Sequence, residues 1–353
     1  MPGDVAIIGA GIVGCATAYF LAREGVAVTV YDRAGIAAGA SGRNNGLVEH
    51  PYDAASAPLF FESVELMREW LGGAMPPAPA GALLLADDEP GGRELLEHYG
   101  QFPELRPALL TPAQARREEP LLADGLWGCL LDTGSPISPL EATTAIADRA
   151  REAGAEFVLG EPVELARLRA SGREVLVAAG AWSGELLTGL VGARAVAPLW
   201  GVIVLVELPR GPRHPLIEGT VTRGLTTGKI TDQAPFTLLP SPSWLAVGST
   251  LLEGREPRAQ DWRARLLERG SRFVPSIARA TVRSTLVCAR PKSFDNRPLL
   301  GRVPGQDRLW LACGHGGRGM SLGAASGRLM AEAIIAGSDA AVPRPLSTRR
   351  LSG

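Results

Sequence analysis

At 353 residues the chain exceeds one ordinary core and suits two domains of roughly 150 residues each. Hydrophobic residues at 46% and charged residues at 21% exclude a disordered or fibrous protein. Thirty-six basic against thirty-seven acidic residues leave a net charge of −1, which excludes the basic excess of a dedicated nucleic-acid binder.

The chain opens on Val5-Ala6-Ile7-Ile8, an apolar run too short to span a membrane. No basic region and long apolar stretch mark a signal peptide, so the expected compartment is the cytoplasm. The run ends in Gly9-Ala10-Gly11-Ile12-Val13-Gly14, and a helix is predicted from Cys15 to Glu24 with Gly25 closing it. Val26 to Tyr31 then alternates as a strand and ends on Asp32, completing a βαβ unit of about thirty residues. The three glycines differ in what they permit. Gly9 allows the tight turn, Gly11 lets a pyrophosphate approach, and Gly14 seats the helix on the sheet. The helix N-terminus offers amides and a positive dipole end to phosphate. Asp32, twenty-one residues beyond Gly11, is placed to accept ribose hydroxyls. The unit predicts dinucleotide binding without separating FAD from NAD.

Farther along, helices are predicted for Ser56 to Leu71 and Glu89 to Tyr99, separated by the break Pro76-Pro77-Ala78-Pro79. Leu140 to Gly154 reads as a helix, and Glu174 to Ala179 as a buried strand entering Gly180-Ala181-Trp182-Ser183. Residues 199–207, 236–239 and 244–251 are β-like, and Arg258 to Phe273 is helical in pattern. A strand from Arg308 to Ala312, a loop from Cys313 to Gly319 and a helix from Met320 to Ala336 follow, with a loose tail expected from Ala340. Cys15, Cys129, Cys288 and Cys313 form no CxxC pair, so neither a zinc ribbon nor a disulfide framework is predicted. Cys313 and His315 are adjacent donors without a second pair, so no metal site is expected.

Four further stretches resemble the FAD-dependent superfamily of D-amino-acid oxidase, glycine oxidase and sarcosine oxidase. Ala38-Gly39-Ala40-Ser41-Gly42-Arg43-Asn44-Asn45-Gly46 is similar to that family's loop leading to the flavin. Val177-Ala178-Ala179-Gly180-Ala181-Trp182-Ser183 resembles its second nucleotide-side strand and turn. Arg290-Pro291, with Asp295 and Arg297-Pro298-Leu299-Leu300-Gly301, resembles its substrate-arginine strand, and Cys313-Gly314-His315-Gly316-Gly317-Arg318-Gly319-Met320-Ser321 its GHGGxG loop. Family order and spacing run from residue 4 to about 337.

The resemblance implies an α/β fold with a Rossmann-like FAD domain (1–50, 137–198 and 286–353) and an antiparallel-sheet substrate domain (51–136 and 199–285). It implies FAD contacts from Gly9, Gly11, Ile12, Val13, Gly14, Asp32 and Arg33 in the first unit. Ala40, Ser41, Gly42, Asn45, Gly46 and Leu47 follow in the next loop, then Val163, Ala179, Gly180 and Trp182. The C-terminal contacts implied are Cys288, Gly314, His315, Gly316, Gly317, Gly319, Met320 and Ser321. The implied reaction is hydride transfer from a substrate Cα to flavin N5, with an imine product and O2 or another acceptor. The glycine-rich loop would aim amides at the charge that reduced flavin gains, ahead of a helix with Gly323, Ala324 and Gly327.

Arg290 is the expected carboxylate binder, because a guanidinium fork holds a carboxylate by two parallel hydrogen bonds. Arg318 is the rival, since sarcosine oxidases place a cation at that loop position. His50 and Tyr52 resemble a His-x-Tyr of sarcosine oxidases and would line the flavin face or polarise the substrate amine; a histidine packed on a proline is the competing reading. Cys288 stands where sarcosine oxidases carry the cysteine bonded to the flavin, against the alternative of a buried free thiol. Same-face placement with Arg290 on a strand would favour its thiolate.

The chain departs from the family in three places. Gly160 to Arg173 is short, Trp200-Gly201-Val202 replaces an Arg/Lys-Gly-Gln/Glu, and Phe236 or Thr237 replaces a substrate tyrosine. The expected substrate is a small amino acid or amine, with a 2-hydroxy acid as alternative and a non-catalytic flavoprotein subunit as another. The sequence assigns no oligomeric state.

Overall fold

The computed structural model describes residues 3–51, 53–192, 195–222, 233–241 and 244–352. Its first layer is a six-stranded sheet ordered Leu299–Arg302, Leu309–Cys313, Glu174–Val177, Val5–Ile8, Val28–Asp32, Glu156–Leu159. All neighbours are parallel except the first two, which are antiparallel. Val5–Ile8 lies between Glu174–Val177 and Val28–Asp32 and is buried on both faces, which is why it reads as a continuous apolar run. Its side chains alternate between two cores: Val5 and Ile7 enter the helix-covered one, Ala6 and Ile8 join Val175, Val177, Leu309 and Leu311 on the other.

The helices Ile12–Arg23, Pro139–Glu152, Gly319–Ala336 and Ala57–Leu71 pack over the first face. Ile12–Arg23 and Gly319–Ala336 cross closely. A Cβ at Gly327 would lie 2.5 Å from Ala16 Cβ and 2.8 Å from the Thr17 amide nitrogen. The small residues of the last helix therefore serve helix–helix approach.

The second layer has nine strands, running Leu252–Glu253, Val196–Glu207, Leu245–Gly248, Thr237–Pro240, Leu216–Glu218, Ala82–Ala86, Trp127–Leu131, Ala108–Leu110. The ninth, Thr281–Ser293, pairs antiparallel with Val196–Glu207, placing Leu199 opposite Arg290 and Gly201 opposite Cys288. The sheet is antiparallel apart from Leu216–Glu218 against Ala82–Ala86. Ala259–Phe273 covers one face, with Phe273 stacked on Phe236 at 4.7 Å between ring centroids.

Thr281–Ser293 crosses the expected domain boundary at 285/286 and carries Cys288 and Arg290 on the second sheet. Its mixture of Arg, Lys, Ser and Thr hides the strand pattern, because its side chains are mostly half-exposed. Pro291 is tolerated on this strand because, apart from a bridge from Lys292 to His315, it pairs on one side only. The tail expected to be loose is instead docked. Leu346, Ser347 and Thr348 are buried, and the Thr348 hydroxyl donates to the Arg302 carbonyl at 2.6 Å.

Candidate functional site

A cleft of about 480 Å³ separates the C-terminal strand ends of the first sheet from one face of the second. Ile8, Asp32, Ala178 and Cys313 mark the strand ends; Ile203, Thr237, Ser249, Leu251, Cys288 and Arg290 mark the opposite wall. An opening at the strand C-termini, where helix N-termini converge, is where α/β sheets bind ligands.

One end of the cleft is built by Gly9, Gly11, Ile12 and Val13. Gly9 adopts φ +117°, and a Cβ there would sit 2.3 Å from the Ala178 carbonyl oxygen. Gly14 has no place in the cleft lining; its Cβ would meet the Gly9 carbonyl at 2.0 Å, so it lets the helix start against the turn. The Ile12 amide donates to Ser41 Oγ at 3.0 Å, tying the helix start to the next loop. Amides in the first turn of a helix have no intrahelical acceptor, so this end suits an anion. Asp32 accepts from the amides of Ala10 (2.9 Å), Ala34 (2.9 Å) and Gly35 (3.0 Å), which orders the turn. Arg33 lies over Trp182, 4.6 Å from the ring centroid, and both line the cleft beside Val163.

Ala40, Ser41 and Asn45 line the cleft, whereas Gly42, Gly46 and Leu47 stand behind it. A Cβ on Gly42 would press on the Ala37 carbonyl, and one on Gly46 on the Ile137 carbonyl. Leu47 packs with Ile217, Val221 and Leu239. Ala179 and Gly180 line the cleft on the nucleotide side.

At the far end, His315, Gly316, Gly317, Gly319 and Met320 line the cleft as the helix Gly319–Ala336 begins. Gly314, at φ +78°, and Ser321 do not line it; Ser321 Oγ instead accepts from the Glu49 amide at 2.8 Å. His315 is buried, and its Nε2 meets Ser326 Oγ at 2.9 Å. Burial, with Arg318 adding to it, pushes its pKa down to about 3, so the ring is neutral.

Arg290 lines the cleft and reaches the Thr250 carbonyl and Ser249 Oγ, both at 2.8 Å. A Cβ on Gly201 would fall 2.5 Å from Arg290 Nη1, so glycine at this position makes room for the guanidinium. The obstruction would be the far end of a flexible side chain, and the strand backbone can stay in place. Gly201→Ala is therefore expected to retain its fold and cofactor but raise KM for carboxylate substrates about 10–100-fold. Steady-state kinetics beside absorbance of the bound cofactor would measure this; an unchanged KM would show that the guanidinium position is immaterial.

Arg318 is placed differently from the expectation of a substrate contact. It is 4% exposed, outside the cleft lining, and paired with Asp53 at 3.3 Å, Ser56 Oγ at 3.3 Å and the Asn296 carbonyl. Burial raises the Asp53 carboxyl, but Arg318, the Ser56 amide and Arg297 together bring it below the usual range. Arg318 thus fastens the glycine loop to the segments around Asp53 and Asn296.

His50 also lies outside the cleft lining, buried edge-on to Tyr99 with 5.0 Å between ring centroids. Burial, then His98, pushes its pKa down to about 3. Tyr52 lies outside the described residues. Cys288 and Arg290 do share the cleft face of their strand, but a thiolate is not favoured. Burial pushes the Cys288 thiol up, outweighing the lowering by Arg290 and Arg43. Phe236 is committed to the core against Phe273, whereas Thr237 lines the cleft wall.

Glu49, Ser249 and Leu251 line the cleft without a sequence motif to announce them, and Arg43 lines it from within the Ala38–Gly46 motif, at a position to which the resemblance assigns no contact. Glu49, an acid between apolar Val48 and buried His50, carries the one readable signal. Among the described residues, no group of three or more His, Cys, Asp or Glu can hold a metal ion, and no helix is long and apolar enough to cross a membrane.

A family profile described as "FAD dependent oxidoreductase" (DAO) matches residues 4–333. The chain is 27% identical to glycine oxidase of Geobacillus kaustophilus over 362 residues, covering 94% of this chain and 92% of that one. Its identity to glycine oxidase of Pseudomonas aeruginosa is 27% over 369 residues, covering 94% of each. The crystal structure of glycine oxidase from Geobacillus kaustophilus superposes with a TM-score of 0.82 at 24% identity, over 98% of both chains.

Proposed function

The chain belongs to the DAO family of FAD-dependent oxidoreductases, and from that premise we propose that it oxidises a small amino acid or amine at the cleft end bounded by Arg290 and the glycine loop. The observation that carries this reading is the convergence of the Arg290 guanidinium with Gly316 and Gly317 in one cleft. A Cβ on Gly317 would come 3.8 Å from Arg290 Cδ, so the carboxylate binder and the loop are in contact range. FAD, when bound, supplies the acceptor for a hydride leaving the substrate Cα, with an imine as product.

The residues present suit that cofactor. Gly9 to Val13 would take the pyrophosphate, Asp32 the ribose, and Ala40, Ser41, Asn45, Val163, Ala179, Gly180 and Trp182 the flanking surfaces. Amides of the Gly316–Met320 turn would face charge developing on the ring, where fixed donors cost no reorganisation. Arg290 would orient the substrate through its carboxylate, with Ser249 and Thr250 holding the guanidinium. His315, at the cleft wall, fixes the loop to the helix through Ser326, and Arg318, behind the cleft, fixes it to Asp53. Cys288 serves as a packed neutral thiol beside them.

Anaerobic titration of the purified holoenzyme tests the reading. Flavin absorption near 450 nm (roughly, as for flavoproteins) should bleach with small amino acids or N-methyl amino acids. Acid precipitation of the same sample should leave the flavin in the supernatant. Bleaching by 2-hydroxy acids alone, or by none of these compounds, would overturn the proposal.

A further inference from the structure

We infer that Arg43 forms a second anion subsite beside Arg290, so that the preferred substrates are amino acids bearing two carboxylates; this rests on the amino-acid reading of the cleft. Arg43 ends the short helix Ala40–Arg43, which packs against the strand Thr281–Ser293, and it lines the cleft. On that strand Cys288 stands opposite Gly201. A Cβ on Gly201 would lie 2.5–2.7 Å from three guanidinium atoms of Arg290, so the Arg290 charge sits over the Gly201–Cys288 rung. Arg43 approaches the same rung from the other side of the cleft, and both guanidinium charges act on the Cys288 thiol.

Three arginines line the cleft among the described residues, and two of them are engaged. Arg290 is held by the Thr250 carbonyl and Ser249 Oγ, and Arg33 lies over the Trp182 ring. Arg43 is exposed and makes no hydrogen bond or ion pair among the described residues. Two guanidinium groups converging on one rung repel each other, and anions between them relieve the repulsion. One carboxylate fills the Arg290 fork. A second, carried on the side chain or on the nitrogen of the substrate, would meet Arg43 through charge-assisted hydrogen bonds. A monocarboxylate leaves Arg43 in water, with neither gain nor penalty. Selectivity for a diacid then comes from this one added attraction.

The test uses three ligand pairs on the holoenzyme without oxygen, with binding followed by perturbation or bleaching of the flavin spectrum. Aspartate against alanine, each as both enantiomers, reads a second carboxylate on the side chain. Iminodiacetate against glycine reads one on the nitrogen, and succinate against propionate needs no oxidation. The unaltered protein should favour the diacid in at least one amino-acid pair and in the succinate pair. Arg43→Gln should lower that diacid-to-monoacid ratio about tenfold or more, since a charge-assisted hydrogen bond is lost. Arg43→Lys should keep part of it. Equal binding of diacid and monoacid by the unaltered protein would overturn the inference, as would a ratio unchanged in Arg43→Gln. A flavin spectrum or flavin content already altered in Arg43→Gln before ligand is added would place Arg43 on the cofactor and overturn it too. The amino-acid reading fails separately, if no amino acid bleaches the flavin while succinate still binds.

Discussion

Arg290→Ala is expected to abolish most carboxylate binding while sparing the fold and the flavin. Truncating a charge that pairs through parallel hydrogen bonds costs about 2–5 kcal/mol, with each 1.4 kcal/mol worth a factor of ten. KM for an amino acid should therefore rise by about thirtyfold to several thousandfold. Among the described residues the side chain donates to the carbonyl of buried Thr250 and to the Ser249 hydroxyl at the cleft wall; these are two ordinary hydrogen bonds, so the loss of stability should be smaller than the loss of binding. Arg318→Ala is the control with the opposite signature. It removes a buried cation from half-buried Asp53, which keeps Arg297 at 3.9 Å, so the cost should fall below the figure of about 3–5 kcal/mol for a fully buried pair. Thermal unfolding and flavin content should register that loss. If Arg318→Ala instead spares both and raises KM, the carboxylate lies on the loop and not on Arg290.

The second large effect is on acid stability. His50 and His315 each have a folded pKa near 3, against an ordinary 6.5, because burial disfavours the charged ring. Between those values the unfolded chain binds more protons than the folded one, so stability rises with pH across the window and falls on acidification. At pH 5 each imidazole should cost on the order of 2 kcal/mol relative to pH 8, or about 4 kcal/mol for the pair. Chemical denaturation at pH 8, 6 and 5 should show the decline setting in below about 6.5. His315→Gln should roughly halve the slope, provided the amide keeps the contact with Ser326. A flat profile from pH 8 to 5 would mean that both rings reach solvent when protonated.

Much of the nucleotide side was legible because its constraints are local. The turn at Gly9, the helix start at Ile12 and the acid at Asp32 lie within one βαβ unit, where spacing alone carries the geometry. The glycine loop was readable for the same reason. What sequence order could not convey was which way a residue near the cleft faces. Arg318, inside the loop motif, turns away to Asp53; Glu49, next to the expected His50, lines the cleft while His50 is buried. The wall opposite the nucleotide is assembled from strands far apart in the chain, such as Val196–Glu207 and Thr281–Ser293. Thr281–Ser293 is half-exposed and carries a weak alternation signal, so the contact of Ser249 with Arg290 and the role of Gly201 emerge only from the folded strands.

The close crossing at Gly327 has a mechanical meaning. Ile12–Arg23 starts at the Gly9 turn, Gly319–Ala336 starts at the glycine loop, and the two helices pack closely where Gly327 meets Ala16 and Thr17. Together they act as a caliper whose jaws are the two helix origins. The span between the Gly9–Val13 turn and the Gly316–Met320 loop is then set where this helix pair crosses, away from the opposite wall. Substitutions on that wall can retune which substrate enters without altering the reach of the cofactor across the cleft. A bulkier residue at 327 would do the reverse, spreading the jaws and loosening the cofactor while leaving the substrate wall intact.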